Sequence, residues 1–356
     1  MAMLEEAYEI LKKLRLDNGL YVASPSDFYH YVWIRDSVYM AYPYLNKDND
    51  LYAKTYHRLL DIFREYEWKL DILQTQKPHE IWEYIHARYS LDGKEIANQS
   101  WGHAQHDMIG AFLFGVAEGE KHAKKIIRDG KDRLILEKII GYLHTIEFWQ
   151  DPDNGMWEEY REIHASSVGA VVAGLNAIKD YIHFEHMSER LVDDMVEKGA
   201  RVVTHLFPRE SESKEADLAQ LSLIYPYKLF TGIFAMEFLN HIERLLLRDR
   251  GVIRYQGDSY YSTLEREKGR DLPKETYFGT EGEWPLGLPW LALCHHKTGN
   301  HKKAKYYLEL TEKVMEKDKP GSLPEIYLSG TSIPNPNTPL GWACAMYILA
   351  KESIME

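Results

Sequence analysis

Tyr56-His57-Arg58-Leu59-Leu60-Asp61-Ile62-Phe63 sets Tyr56, Leu59, Leu60 and Phe63 three and four residues apart, the spacing that lays an apolar stripe along one face of an α-helix. Leu136, Ile139, Leu143 and Ile146 form a second such stripe. Further helical stretches are expected at 3–15, 101–117, 165–182, 188–206, 214–224, 228–247, 284–297, 300–316 and 338–352. They number about a dozen and fall in pairs, the spacing of packed αα-hairpins. Strand-like alternation is scarce, and Gly251-Val252-Ile253-Arg254-Tyr255 is its best candidate. No low-complexity linker divides the chain, so 1–356 reads as one domain of an all-α fold. Gly299-Asn300-His301-Lys302-Lys303-Ala304 looks like one turn of a tetratricopeptide repeat. No period of about 34 residues recurs, which argues against a solenoid.

The connections are unequal. Long polar or Pro/Gly-marked loops are expected at 18–35, 72–100, 150–164, 250–283 and 317–337, against short turns such as Lys297-Thr298-Gly299. Long loops of this kind usually carry function. Asp and Glu outnumber Lys and Arg by 55 to 43, a net charge of −12. That balance excludes a nucleic-acid partner, which needs a basic footprint, and is compatible with a neutral ligand. Cys294 and Cys344 both lie in apolar helical stretches and read as buried free thiols. No apolar run approaches the ~20 residues of a membrane span, and the start has no signal-peptide pattern. The chain therefore reads as cytoplasmic and free of the membrane. Tyrosine (25) and tryptophan (9) dominate over phenylalanine (11). Their apolar faces and polar tips suit sugar rings, and equally suit layer boundaries between helices.

Four segments concentrate groups that an apolar core does not select. The first is Tyr29-His30-Tyr31-Val32-Trp33-Ile34-Arg35-Asp36, and the second is Trp101-Gly102-His103-Ala104-Gln105-His106-Asp107. If helical, the second sets Trp101 and Gln105 four residues apart. Gly155-Met156-Trp157-Glu158-Glu159 follows the turn signal Asp151-Pro152-Asp153-Asn154, and Leu323-Pro324-Glu325-Ile326-Tyr327 precedes Pro339-Leu340-Gly341-Trp342. The last two each place a carboxylate among apolar or aromatic neighbours in a loop. Inverting glycoside hydrolysis needs such a pair: one protonated acid for the leaving oxygen, one carboxylate to activate water. The same residues also fit a structural ion pair, an inward-packed tryptophan and solvated loop charge. His79-Glu80-Ile81-Trp82-Glu83 begins like a helical zinc motif but ends on Glu83 rather than histidine. No metal site and no phosphate loop is expected.

In their order, these segments resemble the glucoamylase-type catalytic domain, and still more the related domain of the phosphorylase kinase α and β regulatory subunits. Trp33-Ile34-Arg35-Asp36 is similar to the family's Trp-x-Arg-Asp, and Trp101-Gly102-His103-Ala104-Gln105-His106-Asp107 to its Trp-Gly-x-x-Gln-x-Asp. Ala165-Ser166-Ser167-Val168-Gly169, Ser213-Lys214-Glu215-Ala216-Asp217 and Glu283-Trp284-Pro285-Leu286 resemble the kinase subunits in particular. The resemblance implies an (α/α)6 barrel. It implies Glu158 as general acid and Glu325 as general base, with Arg35, Asp36, Trp101, Glu159 and Arg254 around the terminal glucose. Tyr29, Trp33 and Tyr255 complete the implied sugar-binding set. The implied activity is an exo-acting, inverting α-glucosidase on glucans or oligosaccharides, without a cofactor. A trehalase and a non-catalytic glucan-binding or regulatory module are the alternatives. Sequence specifies no oligomeric state.

Overall fold

The computed structural model describes residues 2–96, 101–270, 272–319 and 321–355; the end of the expected 72–100 loop and residue 320 of the expected 317–337 loop lie outside them. Along the chain the α-helices are α1 (Ala2–Leu14), α2 (Ile34–Ala41), α3 (Leu51–Glu65), α4 (Glu67–Ile72), α5 (His106–Lys121), α6 (Gly130–Ile146) and α7 (Ala165–Ile178). They continue as α8 (Glu189–Leu206), α9 (Gly232–Leu246), α10 (Glu265–Lys268), α11 (Gly287–Lys297), α12 (His301–Asp318) and α13 (Gly341–Met355). The strands among the described residues are β1 (Val32–Trp33) and β2 (Arg88–Tyr89), an antiparallel pair with Val32 opposite Tyr89 and Trp33 opposite Arg88. The fold class is all-α, as the periodicity requires.

The chain forms two compact units. One comprises Leu16–Tyr21 and Tyr31–Phe207, the other Met1–Arg15, Val22–His30 and Pro208–Glu356. In the first unit the Tyr56 stripe faces inward. Tyr56 stacks on Tyr52 at 4.6 Å and on Phe112 of α5 at 6.0 Å, and Phe63 meets the same Phe112 at 5.0 Å. α5 and α7 are buried almost all round, whereas α8 buries only Val192, Met195, Gly199 and Val203. Two-sided burial explains why α5 and α7 show weak amphipathic patterning and α8 a strong one. α5 and α7 approach backbone to backbone through two glycines. A Cβ on Gly110 would lie 2.2 Å from the Ala170 carbonyl carbon, and one on Gly174 would lie 2.6 Å from the Gly110 carbonyl oxygen.

In the second unit α13 is buried along most of its length and packs on α11 and α1. Trp290 of α11 meets Trp342 of α13 at 5.4 Å, and its indole N–H donates to the Tyr225 carbonyl at 2.7 Å. α1 presents Ala7, Ile10, Leu11 and Leu14 to that core. Cys294 and Cys344 are buried free thiols, as expected. Helix starts follow side-chain chemistry: Asp129, Ser188 and Asn300 each accept a backbone N–H three residues on.

Four local expectations are corrected. The helix expected at 101–117 begins at His106, because the Gln105 amide donates to the Gly102 carbonyl at 2.6 Å and holds 101–105 as a non-helical lead-in; Trp101 and Gln105 therefore share no helical face. The stretch 214–224 is a 3-10 turn, Leu218–Leu223, set by a capping box between Asp217 and Gln220. Arg35, the last residue of the loop expected at 18–35, instead occupies the first turn of α2 beside Asp36. The 251–255 candidate supplies only isolated bridges, Val252 pairing with Leu247 and Trp284.

Gly110→Ala should destabilise the protein by about 2–3 kcal/mol in urea denaturation, since backbone atoms cannot yield to the new methyl. Gly130→Ala, with nothing within 4 Å of the added carbon, should be neutral or slightly stabilising.

Candidate active site

The two candidate glutamates belong to different units, and each has its own surroundings. In the first unit, Arg35 is carried inward by the first turn of α2 and is 5% exposed. Its Nη1 donates to Gln105 Oε1 at 2.9 Å and Asp107 Oδ2 at 3.1 Å, and its Nη2 donates to Glu158 Oε1 at 3.2 Å. Burial pulls the guanidinium down, but Asp107, Glu158 and Asp36 more than offset it and leave its pKa raised. The chain from 153 to 162 is tied by paired backbone bonds between Asp153 and Glu162, 2.8 and 3.0 Å. Asn154 donates from its backbone to Ala104 and from its amide to the Glu159 carbonyl, both at 2.6 Å. Within this loop Glu158 has φ of 64°, the left-handed region that a non-glycine residue rarely occupies. The loop therefore holds Glu158 in a strained conformation that aims its carboxyl at Arg35.

The wall beside Glu158 is aromatic. Trp33 and Trp101 meet edge to face at 6.3 Å. The Arg88 guanidinium lies over Trp101 at 4.1 Å and over Tyr31 at 4.6 Å, brought there by the pairing of β1 with β2. Burial pushes the Glu158 carboxyl up to about 7, Asp36 adds to the rise, and Arg35, Arg88 and Trp33 pull against it.

In the second unit Glu325 is 1% exposed and accepts from a ring of donors. Asn335 and Asn337 donate amide N–H groups to Oε2 at 2.5 and 2.7 Å, and the Tyr260 hydroxyl donates to the same oxygen at 3.3 Å. The Tyr29 hydroxyl donates to Oε1. Burial raises this carboxyl, while Asn337, Tyr29, Asn335 and Arg254 lower it. Arg254 grips Asp258 through two parallel bonds of 2.7 Å and lies under Tyr260, Trp284 and Tyr255 at 5.0, 5.3 and 5.7 Å. Its carbonyl accepts from Leu218 N at 2.8 Å, and Val252 pairs with Trp284, which fixes the segment from both sides. No group of metal-binding side chains occurs among the described residues.

Trp33, Arg35, Asp36, Trp101 and Glu158 thus cluster in one unit, and Tyr29, Arg254, Tyr255 and Glu325 in the other. Glu159 and Tyr255 are half-buried at the margins. Sequence reasoning passed over Asp107, Arg88, Tyr260, Asp258 and the two asparagines. Pro334-Asn335-Pro336-Asn337 carries a turn signal only, whereas Gln105 and Asp107 stood inside a quoted motif without a role.

A carboxyl whose folded-state pKa exceeds its unfolded value of 4.5 binds its proton more tightly when folded. Its contribution to stability is then lost as pH rises from about 4.5 to about 7. Glu158→Gln removes that loss. The variant should gain stability over wild type between pH 4.5 and pH 8, by on the order of 2 kcal/mol, read as a widening difference in Tm.

The profile of glycosyl hydrolases family 15 matches residues 8–267. A probable phosphorylase b kinase regulatory subunit alpha of Caenorhabditis elegans is 26% identical over 383 residues, covering 92% of this chain and 31% of that protein. The chain thus spans about a third of the length of that curated relative. A glycosidase solved in complex with glucose superposes with a TM-score of 0.78 at 18% identity, over 99% of this chain and 96% of that one. A glucoamylase from Saccharomycopsis fibuligera does so with a TM-score of 0.69 at 12% identity, over 99% and 94%. The fold is the all-helical (α/α)6 barrel of these structures, and with nearly three quarters of its length inside the family profile the chain belongs to glycosyl hydrolases family 15.

Proposed function

We propose that this chain is an exo-acting, inverting α-glucosidase that releases glucose from the non-reducing ends of glucans or oligosaccharides, working as one catalytic domain over 1–356. The observation that carries the reading is the contrast between a half-buried carboxyl at Glu158 and a fully buried one at Glu325. Glu158 has few donors and a carboxyl pushed up to about 7, the condition of a group that stays protonated and gives its proton to a leaving oxygen. Burial raises the Glu325 carboxyl as well, but its four donors pull the other way and suit a carboxylate that takes a proton from water. Arg35, Asp36, Glu159 and Arg254 offer hydroxyl partners to the terminal glucose. Trp33, Trp101, Tyr29 and Tyr255 offer ring faces and polar tips. A neutral sugar needs no cofactor here and no basic surface. Among the described residues no helix is long and apolar enough to cross a membrane. Free Cys294 and Cys344 fit a reducing, cytoplasmic setting.

A second reading has its own support. The curated relatives are regulatory subunits of a kinase, and a fold can outlive its chemistry. In that case the same residues bind glucan without turnover. Trehalose hydrolysis is a variant within the first reading.

Glucose release from maltose, maltotriose, isomaltose, trehalose and glycogen separates these readings. Inversion requires β-glucose as the first product from an α-linked substrate, visible by proton NMR before mutarotation; α-glucose first would remove the mechanism. Glu158→Gln and Glu325→Gln should each lower kcat about a thousandfold with the fold intact, and full activity in either would exclude that residue. Because the acid must be protonated, kcat/KM should fall as pH rises through about 7. Absence of turnover with retained maltoheptaose binding would establish the regulatory reading. Trp101→Ala should weaken sugar binding more than Trp101→Phe, and equal affinities would make Trp101 a core residue only.

A further inference from the structure

Away from the glutamates, the first unit carries a groove of about 720 Å³ between α4 and the segment 76–96, within the range of about 300–1,000 Å³ typical of small-ligand clefts. Trp68 and Trp82 line it and are 58% and 55% exposed. Two large aromatic faces exposed in one groove form the kind of apolar patch that marks a binding surface. The buried part of its lining includes polar groups. Lys69 Nζ donates to the Trp82 carbonyl and to Glu95 Oε1, both at 2.8 Å. His86, 3% exposed, lies at 3.1 Å from the Trp82 carbonyl through Nε2, and its buried Nδ1 has no hydrogen-bond partner.

The charged side chains lining the groove balance in sum, Lys69 and Lys77 against Glu83 and Glu95. Lys69 is paired with Glu95, Lys77 with Glu147, and the Glu83 carboxylate accepts the backbone N–H groups of His79 and Glu80 at 2.6 and 3.2 Å. The groove therefore offers no excess of either sign to an ionic ligand. A neutral ligand with apolar faces and many hydroxyls meets both the tryptophans and the polar floor, whereas a purely apolar ligand would leave that floor unsatisfied. The groove also connects to the candidate site through ring contacts. His86 stacks on His103 at 3.8 Å with planes 10° apart, and His103 meets Trp101 edge to face at 5.1 Å.

We propose that this groove is a second, non-catalytic site for a maltooligosaccharide segment, with Trp68 and Trp82 as its stacking surfaces and His86 and Lys69 as its polar floor. It rests on the reading that the chain acts on α-glucan, and it would hold a longer chain while the pocket at Glu158 engages an end.

Native electrophoresis of the full chain in gels containing glycogen, with maltose hydrolysis assayed in parallel, tests it. Wild type should be retarded. Trp68→Ala and Trp82→Ala together should weaken retardation about tenfold, with unchanged melting temperature and unchanged kcat/KM on maltose, and the paired phenylalanine variants should recover most of it. Calorimetric titration of Glu158→Gln with maltoheptaose should show two sites, falling to one with both tryptophans replaced. Retardation unaffected by the double variant, or absent in wild type, overturns the groove. An equal loss of maltose hydrolysis in the double variant also overturns it, by assigning the tryptophans to the main pocket. A wild type that is retarded through the tryptophans but hydrolyses nothing leaves the groove standing and removes the catalytic reading instead.

Discussion

A buried guanidinium organises the first unit. Arg35 brings a charge into a setting where an unpaired ion is costly, and breaking a pair of this kind typically costs about 3–5 kcal/mol. It is held by groups from two separate segments: Gln105 and Asp107 at the start of α5, and Glu158 in the pinned loop. The requirement runs in both directions. Asp107 is 1% exposed, burial raises its carboxyl, and Arg35 pulls it back. The α2 start, the α5 start and the Glu158 loop must therefore close together or leave buried charges unmatched.

That arrangement also sets the chemistry of Glu158. The carboxyl touches a cation that serves Asp107 at the same time, and Asp36 contributes a repulsion. The favourable charge is shared while the burial is not, so the proton is retained to higher pH than in an open loop. The left-handed backbone at Glu158 is the local cost of presenting the carboxyl there. Glu325 reaches a different balance by a different route. Among the described residues its hydrogen bonds come from the neutral donors Tyr29, Tyr260, Asn335 and Asn337, with Arg254 acting on it as a charge. Neutral donors offset part of the cost of burying the carboxylate without neutralising it.

Much of this molecule is legible in the order of its residues. The stripe at Tyr56, Leu59, Leu60 and Phe63 becomes the inner face of α3, and the sparse alternation matches strands of only two residues. Periodicity survives because one-sided burial imposes it locally. The same logic explains the boundary errors: α5 is buried all round, so its pattern lacks an edge, and its start is decided by a side-chain bond from Gln105 to Gly102. The 3-10 turn at Leu218–Leu223 depends likewise on the reciprocal bonds of Asp217 and Gln220.

The sequence by itself determined the helical class, the unequal loops and the aromatic and acidic residues from which a sugar site could be built. These follow from spacing and side-chain type, which act over a few residues. Only the tertiary structure decided that Arg35 faces Glu158 across 123 positions, that Arg88 lies over Trp101, and that Asn335 and Asn337 cradle Glu325. Burial and charge pairing are properties of what surrounds a group in space, and the neighbours that set the state of each carboxyl come from segments that local patterning cannot bring together.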